Sequence, residues 1–224
     1  MSQTSRIGVV AALPRELAPL VRGWTREGSV WTGRIGEHEV VAVCAGMGAA
    51  AATRACAGLL GTGPLGTLIS IGYAGSLSCG LRPPQACAVR EVIDAGTGER
   101  FTANGEGQRL ITLDRVAGPD DKRRLAGQHQ AVLVDMEAAA VARFARDRGL
   151  RFLCFKAVTD GPNEKLPDFN RFTRADGQLR FPALALRVMT RPGYWGAFWR
   201  LGRNSRRAAA ELANLVSRSL SGWR

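Results

Sequence analysis

Residues 130–160 read QAVLVDMEAAAVARFARDRGLRFLCFKAVTD. The stretch changes period twice. QAVLVDM, 130–136, is a short apolar run with β-branched residues, the pattern of a buried strand. EAAAVARFARDRG, 137–149, is rich in helix formers, is amphipathic, and ends on Gly149, a C-terminal stop. LRFLCFKAVTD, 150–160, is apolar again and predicts a second buried strand. Strand, helix and strand in this order predict an α/β layered fold. Active groups in such folds gather at the carboxyl ends of strands. Glu137 falls at one strand-to-helix junction and Asp160 at the end of the next strand.

The same alternation extends towards the N-terminus. RIGVVAA, 6–12, predicts a first strand, and Pro14 opens a helix expected over 14–23. Residues 29–34 and 38–45 predict two strands, a hairpin around Gly36. Gly46-Met47-Gly48 follows, then the Ala-rich helix AAAATRACAGLL. GTLISIG, 66–72, is a further buried strand, with Tyr73-Ala74-Gly75-Ser76 expected as its loop. Strands are predicted at 86–93 and 108–113, and a short, charged, solvated helix at 119–128.

The chain has 224 residues, a length that suits one sizeable core. Its formal charge is +12, unevenly spread. Residues 171–224 hold eleven Arg against one Asp and one Glu, a balance of +9. The body is therefore near neutral and the tail strongly basic. Such a tail can meet nucleic acid, anionic lipid or an acidic partner. Neither paired aromatics on a strand nor a basic recognition helix is present, so no nucleic-acid partner is expected. The five Cys are odd in number and form no CxxC pair. They read as free thiols of a reducing, cytoplasmic setting. With two His, no metal cluster is expected. No apolar stretch approaches the ~20 residues needed to span a bilayer.

Glu137 alone would be an ordinary first-turn acid, and Asp160 alone a turn residue in Asp-Gly-Pro. Together they do more. VDMEAAAVARFARDRGLRFLCFKAVTD resembles the signature region of the nucleoside phosphorylase/nucleosidase superfamily, especially its methylthioadenosine/S-adenosylhomocysteine nucleosidase branch. RIGVVAALPREL, VVAVCAGMG and ISIGYAGSL fit the same family in the right order. The resemblance implies a three-layer α/β fold with a central mixed sheet flanked by helices, and a homodimer. It implies a catalytic core over 1–165 and a basic helical extension over 166–224. It also implies cleavage of the N-glycosidic bond of a purine nucleoside, with no cofactor and inorganic phosphate as a conceivable co-substrate.

The roles implied fit the chemistry. The reaction passes through an oxocarbenium-like sugar with a poor leaving base. Asp160 would be the general acid at purine N7, its pKa raised among apolar strand ends. Glu137 would bind the ribose hydroxyls and oppose the sugar cation. Glu16 matches the carboxylate that activates water. Met136 would pack on the ribose. Gly46, Met47 and Gly48, then Gly72, Tyr73, Ala74 and Gly75, and finally Thr159 complete the implied substrate contacts. One departure stands out: Ser70-Ile71-Gly72-Tyr73 lacks the Arg and Ser that many phosphorylases use for phosphate. Arg15, Arg54 or Lys156 could still hold an anion.

The C-terminal stretch from KLPDFNRF to RRAAAELANL resembles the hopanoid-associated phosphorylases. That resemblance implies an adenosyl substrate with a 5′ lipid, such as adenosylhopane. Trp195, Phe198 and Trp199 share a helical face by spacing and sit among Arg residues. Such segments lie at anionic membrane surfaces, so 191–207 is the expected contact. The alternatives are a hydrolytic nucleosidase for small nucleosides and a non-catalytic nucleoside-binding protein on the same fold.

Overall fold

The computed structural model describes residues 6–164 and 195–222, the last segment with side chains from Trp199 onward. Ten strands are present among them: β1 Ile7–Ala11, β2 Thr25–Glu27, β3 Val30–Ile35, β4 His38–Cys44, β5 Thr67–Ser76, β6 Ala86–Asp94, β7 Arg100–Thr102, β8 Gln108–Thr112, β9 Leu133–Asp135 and β10 Arg151–Asp160. The helices are α1 Pro14–Leu17, α2 Ala49–Leu60, α3 Pro119–His129, α4 Ala138–Arg146 and α5 Trp195–Ser221.

Three expectations need correction. Helix α1 has one turn and stops at Ala18 rather than continuing to residue 23. Pro19 is the cause: its ring clashes with the carbonyl four residues back and it has no N–H to donate. Residues 73–76 are not a loop but the second half of β5. They stay extended because β10 and β9 pair with them on either side. Helix α3 is not wholly solvated, since Lys122 and Leu125 are buried. The short strands β2 and β7 carry too few apolar residues to declare themselves by period.

All ten strands join one mixed sheet. Strand β5 is its hub. It runs parallel to β1 through residues 67–70, parallel to β10 through 67–75, and antiparallel to β9 at Gly75 and Ser76. Strands β5, β9, β8, β6 and β10 thereby close a ring, and β1, β4, β3 and β2 extend from it. Alternate residues of each central strand enter opposite layers, as the period-2 geometry of a strand requires. Leu68, Cys154 and Val158 pack with α2 and α4. Ile69, Ile71, Leu153 and Phe155 pack with Leu17 of α1 and with Leu212, Val216 and Leu220 of α5. A third cluster joins Leu125 of α3 to Ile93 and Ile111. The chain is therefore a mixed sheet flanked by helices on both faces. Among the described residues no helix is long and apolar enough to cross a membrane.

Helix α5 is part of this packing. Leu212 is fully buried in the layer that β1, β5 and β10 share. Replacing it by Ala leaves a cavity where the helix meets the sheet. Leu212→Ala is expected to cost about 2–5 kcal/mol of stability. Chemical denaturation of the full chain measures this.

Candidate active site

The carboxyl ends of β1, β5, β9 and β10 open into one cavity of about 480 Å³. Its wall holds three of the carboxylates expected from sequence: Glu16 from α1, Glu137 before α4 and Asp160 at the end of β10. Met47, Tyr73, Ala74, Gly75, Met136 and Thr159 also line it. Gly46, Gly48 and Gly72 do not. The Gly46 N–H donates to the Ala12 carbonyl at 3.0 Å and so ties β4 to β1 instead of facing a ligand. The Gly48 N–H donates to Glu137 Oε1 at 2.7 Å.

Glu16 is no surface residue; it is 3% exposed. Its Oε2 accepts from the Leu13 N–H at 2.8 Å and its Oε1 from the Tyr73 N–H at 2.8 Å. A Cβ on Gly72 would lie 3.0 Å from Glu16 Oε1, so the glycine makes room for the carboxylate. Burial raises the pKa of Glu16, and the two backbone N–H groups only partly offset that.

Glu137 stands at the N-cap of α4, yet another residue does the capping. Asp135 Oδ2 accepts from the Ala138 N–H at 3.0 Å. Asp135 Oδ1 accepts from Thr112 Oγ1 at 2.6 Å, and Lys156 Nζ lies 2.8 Å from Asp135 Oδ2. Lys156 Nζ also donates to Ser70 Oγ at 3.2 Å. Burial alone would favour a neutral Lys156 amine, but the neighbouring negative groups, Asp135 foremost, outweigh it and raise its pKa. Freed from capping, Glu137 turns to Gly48 and to the cavity. Desolvation first, and then the charge of Asp135, push its pKa up to about 8, against the pull of Lys156 and Gly48.

Asp160 reaches the cavity through an irregularity. The β5–β10 register slips between Val158 and Asp160, so Thr159 is an extra residue. A bulge of this kind re-aims the side chain that follows it. Asp160 Oδ1 accepts from Thr159 Oγ1 at 2.9 Å. Its Oδ2 is ion-paired with Lys122, which also donates to the Gly161 carbonyl at 2.7 Å. The apolar surroundings expected for Asp160 are thus replaced by a charged partner. A Cβ on Gly75 would come within 3.0 Å of Asp160 Oδ2 and 3.2 Å of Lys122 Nζ. Glycine at 75 is what lets the pair sit over the strand.

Sequence reasoning missed Lys122, Asp135 and the wall that α5 supplies. For Lys122 a signal existed: it lies three residues before Leu125, on the buried face of α3. From α5, Leu201, Gly202 and Ser205 line the cavity. Tyr73 Oη donates to the Ser205 carbonyl at 2.9 Å, and Asn204 Nδ2 to the Thr159 carbonyl at 3.3 Å. Of the three cations proposed for an anion, Lys156 is buried in its ion pair and Arg54 lies exposed on α2, away from the cavity wall. Arg15 lines the cavity. All five cysteines are free. Burial pushes Cys44, Cys56 and Cys154 up to about 12, which makes them poor nucleophiles.

A second groove of about 1110 Å³ adjoins the first and shares Arg15, Tyr73 and Gly202 with it. Arg203, Arg206 and Arg207 of α5 line it, with Trp199, which is 67% exposed. The Arg203 guanidinium lies 5.0 Å from the Trp199 ring centre. The Leu-Pro at 166–167, the Asp-Gly at 176–177 and Tyr194 lie outside the described residues, as do the side chains of Trp195 and Phe198.

A sequence profile of the Phosphorylase superfamily matches residues 6–115 and 106–190. No functionally curated protein matches the chain. Among solved structures, the methylthioadenosine/S-adenosylhomocysteine nucleosidase of S. pneumoniae is 20% identical, with a TM-score of 0.74 over 98% of this chain and 100% of that one. The S-adenosylhomocysteine nucleosidase of Streptococcus pyogenes is 18% identical, with a TM-score of 0.75 over 99% and 98%. The futalosine hydrolase of Helicobacter pylori is 13% identical, with a TM-score of 0.71 over 97% and 98%. At these identities the likeness is one of fold.

The raised pKa of Glu137 has a consequence for stability. The folded chain holds this proton up to about pH 8, whereas an unfolded Glu loses it near 4.5. The group's stabilising contribution is full below 4.5 and is lost as pH rises through 8. Wild-type stability should therefore fall across this window more steeply than that of Glu137→Gln. Denaturation at pH 5, 6.5 and 8 checks the difference. A residual slope in the variant is expected from Glu16, which is shifted in the same direction.

Proposed function

The chain belongs to the phosphorylase superfamily, and on that premise we propose that it cleaves the N-glycosidic bond of an adenosyl nucleoside and releases adenine. One observation carries the reading: Glu16, Glu137 and Asp160, far apart in sequence, converge on a single cavity. Each has a distinct setting. Asp160, at the end nearest α3, protonates the leaving base at N7. Glu137, beside Met136, receives the ribose hydroxyls. A growing positive charge on the sugar favours the ionised form of Glu137, so the substrate itself draws off the proton that the empty site retains. Glu16 faces the cavity with both oxygens already anchored by backbone N–H groups. Its role in this reading is to orient and deprotonate an attacking water. The nucleosidases of S. pneumoniae and S. pyogenes, named for methylthioadenosine and S-adenosylhomocysteine, support an adenine-containing substrate.

The expected outcome is that Asp160→Asn and Glu137→Gln each lower adenine release by at least ~100-fold while the fold is kept. Mass analysis of the products, with and without phosphate, identifies the nucleophile. Free sugar whose rate ignores phosphate means water through Glu16. A sugar 1-phosphate means that Arg15 holds phosphate in the cavity. Near-normal turnover in either variant would sink the cleavage reading.

The substrate we propose is lipid-linked at the 5′ position, adenosylhopane being the example that the C-terminal resemblance implies. The support is spatial: beyond Arg15, Tyr73 and Gly202 the cavity continues into a groove larger than itself. The exposed Trp199 and the Arg residues of α5 suit the interface of an anionic bilayer, which would make the protein a peripheral visitor to the inner face of the membrane. Each cation near such a surface contributes about 1 kcal/mol. Sedimentation with vesicles of phosphatidylserine and phosphatidylcholine at low salt should carry the protein down, and Arg203, Arg206 and Arg207 replaced together by Gln should leave it in solution. A wild-type chain that stays in solution at low salt refutes the membrane contact. The homodimer implied by the family remains part of the proposal.

A further inference from the structure

Lys122 has no part in the reading so far, yet it occupies the most demanding position in the site. It is 1% exposed and projects from α3 across the cavity wall to Asp160. Burying an ammonium costs several kcal/mol unless its partners are well placed. The helix does not need it as an anchor, because Leu125 already fixes α3 to the third core cluster. Space for it is built into the facing strand by Gly75.

The arrangement bears directly on Asp160. One of its oxygens accepts from Thr159 Oγ1 and the other from Lys122 Nζ. A carboxylate served by donors on both oxygens is an acceptor. The nearest protons it can pass to a base are those of the two donors themselves. A hydroxyl is far too weak an acid for that, whereas an ammonium can do it. Building on the cleavage reading above, we infer that Lys122 is the proton source for the leaving purine. The N9–C1′ bond breaks and its electron pair stays on the base. N7 takes a proton from Asp160 Oδ2, and Asp160 takes one from Lys122 Nζ. The nucleophile's oxygen bonds to C1′; where it is water, its proton goes to Glu16. The neutral Lys122 amine regains its proton from solvent once adenine has left. The contact with the Gly161 carbonyl holds Nζ in place through the transfer.

A lysine that served only as a counter-ion would act in the opposite sense. It would keep Asp160 ionised and oppose its work as an acid, so its removal would leave adenine release unchanged or faster. The test uses the full chain with two substrates, methylthioadenosine and 4-nitrophenyl riboside. The nitrophenolate leaving group needs no proton. Lys122→Met should lower adenine release about 100-fold and change nitrophenolate release by less than about 3-fold, the span of general acid catalysis falling on one substrate alone. Equal losses on both substrates, or unchanged or faster adenine release, would overturn the inference. If Lys122→Met fails to fold by circular dichroism, Lys122→Gln keeps a donor to Asp160 and Gly161 without a transferable proton, and the same outcomes apply. A wild-type chain that releases nitrophenolate but no adenine overturns the role of Lys122; one that releases neither overturns the cleavage reading as well.

Discussion

The parallel pairing of β5 with β10 is the constraint on which the rest depends. It runs from Thr67–Arg151 to Gly75–Asp160 and is the longest ladder in the sheet. Three further strands join one of these two, β1 and β9 at β5 and β6 at β10, and β8 closes the ring between β6 and β9. The site hangs from the far end of the ladder. There two glycines of β5 stand opposite carboxylates, Gly72 under Glu16 and Gly75 under Asp160. Side chains at either position would push the carboxylates off the strand. The slip at Thr159 then turns Asp160 towards the cavity. A regular ladder would place the side chain of residue 160 on the same face as Val158, which packs into the core under α2 and α4.

Charge is arranged around this ladder in two tiers. Beneath the cavity, Lys156, Asp135 and Thr112 form a buried network that also caps α4. Breaking such a network leaves an uncompensated charge, which is far more costly than never having it. The network's position has a second effect: Asp135 stands beside Glu137 and raises its pKa, while Lys156 restrains the rise. The upper tier is the Lys122–Asp160 pair. The two carboxylates thus meet different tiers: Glu137 has its pKa raised above the lower one, and Asp160 is in direct contact with the ammonium of the upper one.

How much of this could be read from the sequence follows from range. The strand–helix–strand unit at 130–160 declared itself because its apolar periodicity is local, and Glu137 and Asp160 came with it. Glu16 and the glycine turns followed from their order along the chain. The end of α1 was misjudged because Pro19 was passed over in favour of Pro14. The 73–76 segment looked like a loop because Gly and Ser are turn formers, and only pairing with β9 and β10 keeps it extended. The burial of Lys122 is legible in its spacing to Leu125, but what Lys122 and Asp135 do is not. Their meaning lies in partners 38 and 21 residues away, Asp160 and Lys156, and composition carries no trace of such partnerships. The same holds for Gly46 and Gly48, whose N–H groups are spent within the protein on Ala12 and Glu137.

Helix α5 connects these matters to substrate choice. It begins in a basic, Trp-bearing segment and ends in apolar residues locked into the core. Between the two, Asn204 and Ser205 touch β10 and β5 at Thr159 and Tyr73. Tyr73 is where the sequence departs from the phosphate-binding pattern of many phosphorylases, and the hydroxyl it brings is spent on holding α5. Tyr73 is thereby a strut for the wall of the cavity. The wall it supports stands between the cavity and the Arg-lined groove, with Gly202 common to both. Arg15 and Tyr73 also stand on this boundary, and Gly202 is the point at which α5 adds no side chain to it. A bulky 5′ group of the kind proposed above would leave the cavity along this edge, past Gly202 rather than past a larger side chain.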